Sequence, residues 1–189
     1  LSIADILAVL YFNEMNINSK MPEDASRDRL VLSKGHASAA IYAALAEKEY
    51  IGKDELLTFR NINSNLQGHP DMNKVKGIDM TTGSLGQGLS VANGMALSSK
   101  MDSMGYRVYC ILGDGELDEG QVWEAAMTSA KYNLDNLCAI VDCNGLQLTG
   151  KTEDIRGMNS EDIEQKFRSF GFNTITINGN DVFSILNAF

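Results

Sequence analysis

Two short apolar runs frame what this chain can become. "YRVYCIL" (106–112) and "NLCAIVD" (136–142) each read as a β-strand, and Gly120 to Tyr132 between them reads as a helix. "RLVL" (29–32) is a further short buried strand. "NTITI" (173–177) is another, following a helical stretch that holds Ile163 to Phe170. Strands alternating with helices imply right-handed crossovers and a parallel sheet. The predicted fold class is therefore α/β, a doubly wound, mostly parallel sheet flanked by helices.

The first half carries more helix. Ile3, Ile6, Leu7, Leu10 and Tyr11 recur at helical spacing, and Ser2 with Asp5 has the spacing of a capping box, so a helix runs to about Glu14. His36 to Tyr50 is alanine-rich and helical, and Lys53 to Arg60 is a second helix. Asn61 to Met80 is long, polar and broken by Gly68, Pro70 and Gly77. A connection of that length is often functional. "TTGSLGQGLSVANGMALSSK" starts as a glycine turn and becomes a helix, and a last helix begins near Asp181.

Composition narrows the function. The 189 residues suit one domain, and 44% hydrophobic content suffices for a core. A net charge of −9 and a sequence pI near 4.7 exclude nucleic acid as the main partner, which needs a basic face. No stretch approaches the roughly 18 apolar residues of a membrane span, and no signal peptide is legible. Cys110, Cys138 and Cys143 form no CxxC pair, which points to reduced thiols and a cytoplasmic setting. The chain opens at Leu1 and closes at Phe189 inside a periodic run without a stop signal, so a trimmed piece of a longer protein is expected.

The chemistry concentrates in "GDGELDEG" (113–120). Its glycines resemble a phosphate cradle, yet Asp114, Glu116, Asp118 and Glu119 are acidic. In a doubly wound sheet, ligands sit beyond the carboxyl ends of the strands. Both this loop and Cys143 to Gly150 lie there, on strands about 4.8 Å apart if they are neighbours. Asp114 and Asn144 each fall two residues past their strand, so both side chains can reach one ion. Magnesium takes such oxygen ligands and keeps positions for phosphate, with backbone amides at the start of helix 120–132 assisting. A dinucleotide fingerprint fails because Asp118 holds its third glycine position. A calcium loop fails because Glu119 and Ala125 stand where glycine and glutamate belong. A solvated acidic turn capping a helix stays open. The only two histidines, His36 in "SKGHAS" and His69 in "QGHPD", each follow a glycine and are candidates for proton work.

These stretches together resemble a known family. Asp114 and Asn144 stand thirty residues apart (144 − 114) in "GDGELDEG" and "CNGLQLTG", which resembles the thiamine diphosphate signature. "DRLVLSKGHAS", "LQGHPDM" and "TTGSLGQGLS" resemble transketolase, in the same order and over essentially the whole chain. The resemblance is to the N-terminal, diphosphate-binding (PP) domain, spanning 1–189, as found on its own chain in split transketolases. It implies thiamine diphosphate and Mg2+ as cofactors, with Ca2+ or Mn2+ as substitutes. Asp114, Asn144 and the Leu146 carbonyl would bind the metal. Gly113, Gly115 and Glu116 would belong to the diphosphate loop, and the backbone of Gly83, Ser84 and Leu85 would meet the aminopyrimidine ring. His36 and His69 would be catalytic, lining the channel near the reactive ring and the sugar hydroxyls. Glu119 and Glu124 would belong to an acidic cluster at a subunit contact.

Several positions depart from the family pattern. Cys143 stands where a polar residue is usual, Ser84 replaces a common proline, and Asn180 replaces a frequent histidine. The resemblance implies a further glycine-flanked histidine at a position upstream of Leu1. The ring-activating glutamate and the phosphate-gripping residues belong to a pyrimidine-binding domain that 189 residues cannot also hold. A C-terminal partner subunit, a dimer of heterodimers, sugar phosphate substrates and inactivity of the isolated chain are therefore expected. The rival readings are a deoxyxylulose-phosphate synthase-like or two-oxoacid dehydrogenase-like subunit, or a non-catalytic scaffold.

Overall fold

The computed structural model describes residues 2–189. Three parallel strands form the central sheet: β1 (Arg29–Leu32), β2 (Val108–Gly113) and β3 (Leu137–Asp142), in the order β1-β2-β3. Leu30 lies opposite Tyr109, and Tyr109 opposite Cys138. All six residues of β2 are buried, because helices cover both faces of the sheet. Fully burying a side chain such as Ile111 or Leu112 is worth roughly 1.5–3 kcal/mol.

The two faces read directly from the period of two along the strands. Leu30, Leu32, Tyr109 and Ile111 point to one side. There they meet α1 (Ala4–Val9), which widens into a π-helical turn over Leu10–Glu14, together with α2 (Ser38–Glu47) and α7 (Val182–Ala188). Val31, Val108, Cys110 and Leu112 point to the other side. They meet α3 (Gly88–Met101), α4 (Gly120–Lys131) and α6 (Ser160–Ser169). In α4 the buried residues are Val122, Ala125, Ala126 and Ser129, one stripe at helical spacing. Asn159 caps α6 through Glu161 and Asp162, and Asp181 caps α7 through Phe183 and Ser184. Because the strands are parallel, Ser33, Asp114 and Cys143 leave the sheet along one edge.

The long connection between α2 and α3 carries no regular helix beyond a short 3-10 stretch at Lys53–Thr58, and polar anchors hold it. Asp79 accepts from the Leu30 amide at 2.8 Å and pairs with Arg27, tying the loop to the free edge of β1. The Tyr42 hydroxyl donates to the Gln67 and His69 carbonyls at 3.0 and 3.3 Å, and Ser38 donates to Gly68 at 2.8 Å. Two side chains on α2 thus fix the backbone around His69.

Three expectations need correction. Ser2 and Asp5 form no capping box. The Ser2 hydroxyl donates instead to Asp142 at 2.6 Å, across the end of the sheet. Lys53 to Arg60 is a single 3-10 stretch rather than an α-helix. "NTITI" is extended but joins no ladder. It runs beside β3 across a gap of about 520 Å³ lined by Ala139, Val141, Ile175 and Ile177 among others. Without a backbone partner, its alternating pattern cannot become a strand. The segment Cys143 to Gly150 holds most of a small antiparallel hairpin of β4 (Leu146–Gln147) and β5 (Gly150–Lys151), and α5 (Thr152–Arg156) follows it.

Candidate functional site

Asp114 closes β2 and caps the 3-10 turn Gly115–Asp118, its Oδ1 accepting from the Gly115 amide at 2.8 Å. Its Oδ2 accepts from the Gly145 amide at 2.7 Å and from Thr152 Oγ1 at 3.3 Å. Gly145 directly follows Asn144, so the two predicted loops meet at the Asp114 carboxylate itself. Asp114 is 3% exposed, and none of the ion pairs among the described residues includes it. A buried carboxylate without an ion-pair partner is a candidate ligand for a divalent cation. The donors at hand are hard oxygens: Asp114, the Asn144 amide oxygen, which accepts only from Leu146 N at 2.9 Å, and the Leu146 carbonyl. No group of three His, Cys, Asp or Glu that could hold a metal exists among the described residues.

A second layer holds Asn144. The Asp142 Oδ2 accepts from Asn144 Nδ2 at 3.1 Å, from Lys34 Nζ at 2.6 Å and from Ser2. Burial alone raises the Asp142 pKa. Hydrogen bonds from Lys34 and Ser2, with the Lys34 charge, outweigh it and hold the carboxyl below its ordinary range. Lys34 is 4% exposed, and its stem runs along Gly113, where an added Cβ would lie 3.8 Å from it. Sequence reasoning misses Lys34 and Asp142. Their signal is a lysine and an aspartate, each at the end of an apolar strand run, where a charge is worth explaining.

The two histidines and the first glycine loop come together. His36 sits in the turn Gly35–Ala37 that leads into α2, and Gly35 packs against the Gly83 loop on which the His69 ring lies. Partial desolvation, the Lys34 cation and His69 hold the His36 pKa below the ordinary histidine value, against a smaller opposing pull from Glu116 and Asp142. The His69 ring lies on Gly83, where an added Cβ would sit 3.0 Å from its Cδ2, and Gly83 has φ +142°. Only glycine suits both that backbone and that contact. Gly35 is pressed against the same loop, its absent Cβ 2.8 Å from the Gly83 amide. Ser84 and Leu85 are exposed beside it.

Of the remaining predicted residues, Gly113 is buried at the end of β2, and Gly115 lies under Gln147, whose Cβ leaves no room for a side chain there. Glu119 and Glu124 are exposed at the start of α4. Glu116, expected among the cofactor-facing residues, turns inward instead. It is 3% exposed, with Oε1 accepting from Ser33 Oγ and the Gly86 amide and Oε2 from the Gly113 amide.

Hard oxygen donors beside glycine turns on the carboxyl edge of a parallel sheet suit a cation-bridged diphosphate, the ligand geometry of cofactor-binding α/β domains. Comparison with known proteins narrows the class. The family described as transketolase, thiamine diphosphate binding domain, matches residues 1–189. The chain belongs to that family. It is 48% identical to the 6-deoxy-6-sulfo-D-fructose transketolase subunit SqwG of Clostridium sp. (strain MSTE9), covering 100% of this chain and 68% of that protein. It is 41% identical to an apulose-4-phosphate transketolase subunit of Phocaeicola vulgatus, covering 100% of this chain and 66% of that one. Among solved structures, transketolase from Campylobacter jejuni superposes with a TM-score of 0.89 at 33% identity, over 98% of this chain and 30% of its own. The chain thus spans about two thirds of the split subunits it resembles and under a third of the single-chain enzyme.

Proposed function

We propose that this chain is the diphosphate-binding part of a thiamine diphosphate- and magnesium-dependent transketolase. With a C-terminal partner subunit carrying the pyrimidine-binding domain, it transfers a two-carbon ketol unit from a ketose phosphate to an aldose phosphate. One observation carries the reading: the 2.7 Å bond from Gly145 N to Asp114, which joins the two loops whose oxygens would share the cation. Asp114, Asn144 and the Leu146 carbonyl hold the metal, and the Gly113–Gly115 turn faces the diphosphate. Bound thiamine diphosphate supplies a nucleophilic ring carbon and an electron sink for the two-carbon fragment. The chain's own residues position and discriminate. His36, its pKa held low, stays neutral at pH 7 and offers one N–H donor and one acceptor nitrogen to sugar oxygens. His69, seated on Gly83, lines the same channel, and the Gly83–Leu85 backbone meets the aminopyrimidine. The exposed Glu119 and Glu124 belong to the contact between paired subunits in a dimer of heterodimers. Three free cysteines favour a cytoplasmic setting, and no helix among the described residues is long and apolar enough to cross a membrane.

Calorimetry of the natural complex with magnesium and thiamine diphosphate tests the assignment. Asp114→Ala should weaken cofactor binding at least about tenfold, the worth of one charged ligand contact. Undiminished affinity refutes the site. Xylulose 5-phosphate with ribose 5-phosphate tests the reaction. The ketose panel includes the sulfonated and apulose-derived sugars named for the two split relatives. A requirement for pyruvate would favour a synthase or dehydrogenase subunit. Cofactor binding without ketose turnover would mark a scaffold.

A further inference from the structure

Glu116 is a buried carboxylate of the acidic loop that the proposed function leaves without a task. It is buried, and its two oxygens accept from three donors on three different segments: Ser33 Oγ after β1, the Gly86 amide at 2.8 Å in the glycine loop, and the Gly113 amide at 3.1 Å at the end of β2. Two of these segments are already in close contact. Gly88 lies against Ser33, where an added Cβ would come within 2.2 Å of the serine hydroxyl. A carboxylate so engaged has no free face for a ligand, and its charge is met by backbone dipoles rather than by a cation. We propose that Glu116 is a positioning residue. It fixes the spacing between the Gly83–Leu85 backbone, which would meet the aminopyrimidine, and the Gly113–Gly115 backbone, which would meet the diphosphate. This rests on the thiamine diphosphate reading above. The two ends of the cofactor bind different loops, and Glu116 is the group that bonds to both.

Glu116→Gln keeps the shape and tests the charge. An amide has one acceptor oxygen and one NH2 donor, so one of the two carboxylate places must now face a donor. If the NH2 takes the Oε1 place, Ser33 can rotate to accept but Gly86 N–H loses its partner. If it takes the Oε2 place, Gly113 N–H loses its partner. Either way one buried backbone N–H is stranded and one loop is released. Calorimetry on the natural complex compares two probes, magnesium thiamine diphosphate and magnesium pyrophosphate. The variant should bind the two-ended cofactor about ten- to a hundredfold more weakly while losing under about threefold for pyrophosphate, which needs only one loop. Ser33→Ala, a milder change in the same network, should shift the ratio the same way, and the two effects should not add. Equal loss for both probes, or no loss for either, overturns the proposal. If the wild-type complex binds neither probe, the functional reading itself falls. In that case amide exchange still judges the clasp: unchanged protection at Gly86 and Gly113 in Glu116→Gln overturns it.

Discussion

Removing one partner of the Lys34–Asp142 pair should hurt more than removing both. The two side chains meet at 2.6 Å with 5% and 8% of their side-chain surface exposed. Breaking a buried pair by deleting one member costs about 3–5 kcal/mol, because the other charge stays buried without its partner. Lys34→Met keeps the stem that packs along Gly113 and deletes only the ammonium. Asp142 would then keep only Ser2 and Asn144 as side-chain donors. For a domain of this size that loss corresponds to a fall in Tm of roughly 6–20 °C. The double variant Lys34→Met/Asp142→Leu leaves no stranded charge and should recover most of the lost stability, since apolar replacements of a buried pair are often neutral or better. It should not recover magnesium affinity, because Asn144 loses the acceptor that orients its amide. Thermal unfolding of the four members of the cycle, with magnesium titration of each, reads both effects. A Lys34→Met loss below about 1 kcal/mol, or a double variant no more stable than the single, refutes the reasoning.

Other outcomes follow from the same geometry. Gly83→Ala places a Cβ on the His69 ring at a φ of +142° and should cost about 1–3 kcal/mol in thermal stability while displacing the histidine; an unperturbed His69 resonance would contradict it. His36 should titrate below the ordinary histidine range in a proton NMR pH series and remain neutral at pH 7, with folding stability weakening only as pH falls below the unfolded value, where protonation opposes the fold. Cys138, whose thiol burial pushes up to about 11, should alkylate at pH 8 on the order of a hundredfold more slowly than a free thiol; equal labelling rates would mean that it is exposed and ionisable.

The sheet and the meeting of the loops at its carboxyl edge were legible because each rests on a local pattern. β2 and β3 are continuous apolar runs, and the glycine-bearing loops just past them can be read from their own residues. The unread parts depended on partners distant in sequence. Ser2 looked like a helix cap, but a carboxylate 140 residues away offered a buried acceptor at 2.6 Å. Lys34 goes unnoticed inside "SKGHAS" because nothing local shows that its ammonium reaches Asp142. "NTITI" had the right alternation, yet its threonine hydroxyls go to side chains of α6: Thr176 donates to Glu164 at 2.6 Å, and Thr174 accepts from Arg168 at 2.7 Å. Ile175 is left 61% exposed. Propensity fixed the extended backbone, whereas a strand also requires a neighbour.

Four acids in "GDGELDEG" suggest a simple trap for a cation, but the structure gives each a separate occupation. Glu116 is consumed by Ser33, Gly86 and Gly113. Asp118 pairs with Arg156 at 2.9 Å and accepts from Gln147, bracing the β4–β5 hairpin over Gly115. Glu119 faces outward where α4 begins. Asp114 and Glu116 are both buried without a cationic partner, but of the two only Asp114 bonds to the loop that carries Asn144. The local charge available to a metal is therefore nearer one carboxylate than four, which favours an ion that arrives with phosphate ligands over one bound by protein acids alone. A site of this kind should bind magnesium weakly by itself and tightly with a diphosphate, so cation and cofactor affinities should rise and fall together across variants of Asp114 and Asn144.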